Sequence, residues 1–98
     1  MRGATVYLLI CADGSFYVGS TKGANIDSRF AQHQAGFGGS YTAARRPVTL
    51  AWAETFDDYM EAFAAERRLK GWSRAKKAAL IAGDWPLIQA LAKKPRKP

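Results

Sequence analysis

Cysteine and histidine are almost absent from this sequence: one of each, Cys11 and His33, in 98 residues. An internal disulfide and a metal cluster built on cysteines are therefore excluded. Cys11 lies in an apolar strand and reads as a small buried hydrophobe. Long apolar runs are missing too. A membrane-spanning helix needs about 20 apolar residues. No segment approaches that length or has the layout of a secretory leader. A cytoplasmic protein with no membrane association is the expectation. Acidic residues are scarce, 8 against 15 basic ones, giving a net charge of +7 and a pI near 9.9. That balance suits polyanionic partners such as nucleic acid, or else serves solubility alone. Internal repeats are absent. The glycines of Gly36-Phe37-Gly38-Gly39-Ser40 lack the spacing of a P-loop or dinucleotide motif.

A hydrophobic content of 48% argues against disorder. The length suits one small domain, residues 1–92, followed by a basic tail at 93–98 that serves at most as an electrostatic arm. The most informative stretch runs from Thr5 to Thr21. Two apolar runs rich in β-branched and aromatic residues flank Asp13-Gly14, a strong hairpin signal. A two-residue turn would place Tyr7 and Tyr17 on opposite faces. A three-residue loop, Ala12-Asp13-Gly14 with Gly14 left-handed, puts Tyr7 opposite Gly19. This second register is preferred because Val6, Leu8, Ile10, Phe16 and Val18 then form one apolar face. Tyr7, Tyr17 and Gly19 share the other face, either as a site or as packing on a half-buried sheet.

The spacing predicts a helix over Ile26 to Ala35 anchored by Phe30. It carries Arg29 and His33 on one face, where the histidine is catalytic, structural or simply exposed. A flexible glycine-rich loop follows, then Tyr41 to Pro47 with Arg45 and Arg46 exposed. A third strand fits Val48 to Thr55. A helix over Asp58 to Lys70, started by Asp57 and Asp58, has the core stripe Ala62, Ala65 and Leu69, extended by Phe63. Glu66 sits at the edge of that stripe, as a metal ligand or as a salt-bridge partner of Arg67 or Lys70. Ser73 caps a helix over Arg74 to Ala82 that Gly83 stops. Pro86 opens a last helix to Lys93, with Leu87, Ile88 and Leu91 facing inward. The fold class is α+β, in the order β-β-α-β-α-α-α around a small, mainly antiparallel sheet. Basic residues crowd the chain after Glu66. Lys22, Arg45, Arg46, Lys70, Arg74 and Lys77 are the candidate phosphate contacts.

The order Thr5-Val6-Tyr7, Tyr17-Val18-Gly19, Arg29 to His33 and Glu66 to Trp72 resembles the GIY-YIG nuclease superfamily. The likeness is strongest to small single-domain bacterial members related to the N-terminal nuclease domain of the UvrC excision-repair protein. It covers about Thr5 to Leu91. It implies a divalent-metal-dependent endonuclease acting on DNA, in repair or processing. In that role Tyr7 takes a proton from the attacking water and Tyr17 orients water or phosphate. Arg29 binds the scissile phosphate, His33 supports the site, and Glu66 holds one Mg²⁺ or Mn²⁺. One carboxylate suffices for Mg²⁺, which keeps most of its waters. The alternative is a nucleic-acid-binding or adaptor module of the same fold without turnover, delivered by a protein partner or acting alone. Thr5 and Val6 replace the first glycine and isoleucine of the name-giving triplet. Trp85 stands where many relatives have an asparagine, whose role Asp84 could take. Ser20 stands where some have a lysine.

Overall fold

The computed structural model describes residues 3–23 and 26–92. The basic tail at 93–98 lies outside them. Three strands form one antiparallel sheet: β1 (Ala4–Ile10), β2 (Phe16–Lys22) and β3 (Thr49–Phe56), in the spatial order β2-β1-β3. The helices are α1 (Ile26–Ala35), α2 (Ser40–Ala43), α3 (Tyr59–Lys70), α4 (Arg74–Ala82) and α5 (Trp85–Ala92).

The hairpin takes the three-residue loop. Tyr7 stands opposite Gly19 and Ile10 opposite Phe16. Gly14 has φ 84°, and its N–H donates to the Cys11 carbonyl at 2.9 Å. A left-handed glycine there matches the loop's twist to that of the strands. β1 is central and buried along nearly its whole length, because both of its faces are apolar. Ala4, Val6, Leu8 and Val18 pack under Ala62, Ala65, Leu69, Leu80 and Ile88. Tyr7, Leu9, Cys11 and Val48 form a second core, closed by Tyr17, Ile26, Phe30 and Leu50. The tyrosine face is therefore not a bare platform. It is a helix-covered core that opens at the β2 edge. β3 serves both cores through an irregularity. Leu8 pairs with Trp52 but Leu9 with Leu50, so Ala51 is an extra residue. The slip turns Trp52 to one core and Leu50 to the other, against the usual alternation.

The helix ends follow their capping residues. Asp58 Oδ1 accepts the Met60 N–H at 2.9 Å, and Ser73 Oγ accepts that of Lys76 at 3.2 Å. Gly83, at φ 71°, ends α4. Three expectations are corrected. The loop after Gly36 contains the one-turn helix α2, which starts as Gly39 (φ 114°) reverses the chain. Phe63 does not extend the core stripe but stands 52% exposed on α3. Only Ile88 of α5 is buried, and Leu87 and Leu91 face solvent, because α5 packs on α4 along a single line.

Candidate active site

Tyr7 projects from the central strand across Gly19, its β2 neighbour. A Cβ on Gly19 would sit 2.6 Å from the Tyr7 hydroxyl oxygen, so glycine leaves the room in which that hydroxyl lies. Two residues one turn apart on α1 converge there. Arg29 Nε donates to the Tyr7 oxygen at 3.2 Å, and His33 Nε2 lies 2.8 Å from it. On its far side His33 Nδ1 lies 2.8 Å from Thr42 Oγ1 on α2. Tyr17 meets the imidazole edge-on at 5.3 Å between ring centroids, and Tyr41 stacks on Tyr17 at 6.0 Å. The glycine-rich loop serves this packing: a Cβ at Gly38 would be driven into the His33 ring.

The electrostatics follow from burial beside a guanidinium. Desolvation pushes the Tyr7 phenol above its usual value, and the Arg29 hydrogen bond and charge only partly offset this. The Glu66 charge adds to the rise. Burial, then the Arg29 charge, lowers His33, so its imidazole is neutral at neutral pH. The Tyr7 oxygen accepts from Arg29 and shares a second hydrogen bond with His33 Nε2. Neutral His33 carries one ring proton, so it donates to one of Tyr7 and Thr42 and accepts from the other.

Glu66 approaches from α3 on the other side of β2. Ser20 Oγ donates to its Oε1 at 2.6 Å, and Lys70 Nζ pairs with its Oε2 at 2.8 Å. Burial raises the Glu66 pKa, but the Lys70 ammonium and the Ser20 hydroxyl together outweigh it and hold the carboxyl below its usual range. The side chain is only 12% exposed, against 56% for Lys70. Since β2 is an edge strand, the two clusters meet at a single sheet edge.

The basic residues divide. Lys22 and Arg29 line a polar groove of about 180 Å³ with Thr21, Ser28 and Gln32. Arg29 Nη1 is braced on Gln32 Oε1 at 2.9 Å. The Arg74 guanidinium lies 4.3 Å over the Phe16 ring, at the opposite end of β2. Lys77 is partly buried on α4. Arg45 is committed elsewhere, pairing with Asp13 at 3.0 Å and lying 3.8 Å over the Tyr41 ring. Arg46 donates to the Ala43 and Gln34 carbonyls and so ties α1 to α2. These two arginines brace the loop rather than standing apart from it. Asp84 caps α5 through the Leu87 N–H at 3.1 Å. Trp85 lines a larger cavity of about 360 Å³ with Trp52 and Trp72, on the β3-facing flank of α3. Sequence reasoning did not find Thr42, the partner of His33, or Ser20 as the anchor of Glu66. No local pattern marks either: Thr42 meets His33 from the next helix across the glycine-rich loop, and Ser20 meets Glu66 from a strand 46 residues away.

This sheet, with a tyrosine pair on adjacent strands, an arginine–histidine helix and a glutamate helix, is the arrangement of a nuclease-family catalytic domain. The sequence pattern described as the GIY-YIG catalytic domain matches residues 3–79, and the chain belongs to the GIY-YIG family. Within it the similar proteins are small UPF0213 members. A UPF0213 protein of Halobacterium salinarum is 47% identical over 76 residues, covering 78% of this chain and 96% of that one. One of Staphylococcus saprophyticus is 43% identical over 76 residues, 78% of this chain and 90% of the relative. The solution NMR structure of a UPF0213 protein of Bacillus halodurans superposes with a TM-score of 0.54 at 35% identity. It covers 90% of this chain and 93% of that chain. A protein of E. faecalis, also solved by NMR, gives a TM-score of 0.55 at 31% identity, covering 100% and 96%.

Family members generally use a divalent cation. Among the described residues no group of three or more His, Cys, Asp or Glu gathers to hold a metal. Glu66 is ionised and offers hard oxygens, which fits a largely hydrated Mg²⁺ or Mn²⁺. Lys70 pairs with one Glu66 oxygen and Ser20 with the other. No described helix is long and apolar enough to cross a membrane.

Proposed function

We propose that this protein is a divalent-metal-dependent endonuclease that hydrolyses DNA phosphodiester bonds in DNA repair or processing. The observation that carries the reading is the Tyr7 hydroxyl held between Arg29 Nε and His33 Nε2. A phenol with a raised pKa is a poor free base. A phenol hydrogen-bonded to a neutral imidazole avoids that difficulty. With the His33 proton on Nδ1, as the attacking water gives its proton to the Tyr7 oxygen, Tyr7 passes its own to His33 Nε2, so no free phenolate forms. The hydroxide bonds to phosphorus, the leaving oxygen departs with the P–O electron pair, and solvent protonates it. Arg29, fixed by Tyr7 and Gln32, directs its remaining N–H groups at the non-bridging oxygens as their charge grows. Tyr17 and Tyr41 wall the imidazole and exclude water. Glu66 is the residue that would hold Mg²⁺ or Mn²⁺, which supplies Lewis-acid charge to the phosphate. Lys22, Lys70 and Arg74, along the β2 edge, are the phosphate contacts of this reading, with Lys77 behind them on α4.

One observation favours a second reading, a DNA-binding module without turnover: both Glu66 oxygens are already engaged. Cleavage of supercoiled, nicked and branched DNA at low salt, with Mg²⁺ or Mn²⁺, separates the two. The nuclease reading expects cleavage by the wild type and none by Glu66→Ala. Equal silence of both proteins, with DNA binding retained, would establish the module instead.

A further inference from the structure

Four of the five exposed aromatic residues among those described, all but Trp85 on α5, lie on the elements that flank the site. Phe37 is 80% exposed, the highest value among the described large hydrophobic side chains, and it sits between Gly36 and Gly38. Its loop is anchored: the Phe37 N–H donates to the Gln32 carbonyl at 2.8 Å, and Gly38 packs on His33. Tyr41, 39% exposed, stacks on Tyr17 on the same side of the site. On the opposite side of β2, Tyr59 (46%) and Phe63 (52%) stand one turn apart on α3. Phe63 is in turn one helical turn before Glu66. Cations are interleaved with these rings. Lys22 Nζ lies 5.9 Å from the Tyr59 ring centre and lines the groove beside Arg29. Lys70 follows Phe63 along the same helix and holds Glu66.

Exposed rings on both sides of a phosphate site, with the ammonium groups of Lys22 and Lys70 beside those of α3, fit a single-stranded nucleic acid. In a duplex the bases are stacked on each other and their faces are closed to protein rings. In a single strand each base has a free π-face, while the backbone still carries its charge. We propose that Phe37 on one side, and Tyr59 with Phe63 on the other, are two stacking platforms that hold unpaired bases on either side of the scissile phosphate. The preferred substrate is then DNA that is single-stranded at the point of cleavage, as in a flap or an open junction. This rests on the hydrolase reading for the chemistry but not for the binding.

The test reads binding without divalent metal, so it does not depend on turnover. A fluorescein-labelled single-stranded oligonucleotide and the duplex of the same sequence are titrated with wild type, Phe37→Ala, Phe63→Ala and Leu91→Ala, an exposed control on α5. These positions are exposed, so the variants keep the fold, which circular dichroism checks. Wild type should bind the single strand more tightly than the duplex. Phe37→Ala and Phe63→Ala should each weaken single-strand binding by about fivefold or more. Duplex binding and the Leu91→Ala protein should be unchanged. Equal affinity for both forms, or losses that are the same on single strand and duplex, would overturn the proposal. So would a wild-type dimer in sedimentation that Phe63→Ala dissolves, because the α3 rings would then serve a second copy of the chain. If single-strand preference is found but no DNA is cleaved, the platforms stand and the hydrolase reading falls. If duplex is cleaved without any preference, the reverse holds.

Discussion

At the scale of single residues, the account turns on one hydroxyl and the space left for it. Gly19→Ala places a methyl group 2.6 Å from the Tyr7 oxygen, which two hydrogen bonds hold in place. The ring must move. Misplacement by about 1 Å can cost about 100-fold in rate, so kcat should fall by that order while the chain still folds, as steady-state kinetics beside circular dichroism will show. His33 gives a second prediction, in pH. Its folded pKa lies below the usual 6.5, so between those values the unfolded chain binds a proton that the native one refuses. Its contribution to stability is therefore present above pH 6.5 and lost as pH falls below it toward the folded value. Thermal melts across that range should show Tm falling with acidification, with a shallower slope in His33→Gln. A Tm that rises on acidification would contradict this. Arg29 and His33 could be read from the sequence as sharing a helix face. Their common target could not, because Tyr7 reaches them from a strand that only the closed fold brings beneath α1.

At the scale of elements, what could be read ahead depended on whether its cause was local. The hairpin register was legible because Asp13-Gly14 and the apolar pattern selected the same loop. The starts of α3 and α4 were legible because Asp58 and Ser73 cap them. Removing the second cap, by Ser73→Ala, should lower stability by about 1 kcal/mol in a denaturant titration without affecting the site's chemistry. The one-turn helix α2 was not legible. Its residues carry no periodicity, and it is held by contacts from other elements: Thr42 to His33, Arg46 across to α1, and Arg45 to Asp13 of the hairpin loop. The inward face assigned to α5 failed for a related reason. An apolar sequence does not reveal how much surface its neighbours can cover, and α4 covers only the line of Ile88. Likewise the tyrosine face read as a site or as packing, and the fold makes it both. Leu9, Cys11 and Val48 bury the ring of Tyr7, and α1 seizes its hydroxyl.

At the scale of the whole molecule, a chain with net charge +7 brings Tyr7, Arg29, His33 and Glu66 to one sheet edge. Lys22, Arg29, Lys70 and Arg74 are the cations placed along it, since Arg45 and Arg46 are engaged within the loop. If these four cations contact phosphates, log affinity falls with log salt at a slope of about −3 to −4. A salt titration of oligonucleotide binding should return a slope of that order, and a flat one would dismiss DNA as the partner. The two clusters lie on opposite faces of a single edge strand, the Tyr7–His33 pair on one and the Glu66 carboxylate on the other. The proton relay through Tyr7 and His33 is the central claim, and single-turnover cleavage by Tyr7→Phe, with metal saturating, tests it most directly. The variant keeps the ring that fills the second core and removes only the hydroxyl between Arg29 and His33. The account predicts a rate lower by about 100- to 10,000-fold with DNA affinity retained. A Tyr7→Phe protein that cleaves at the wild-type rate would show that the proton leaves the attacking water by another route.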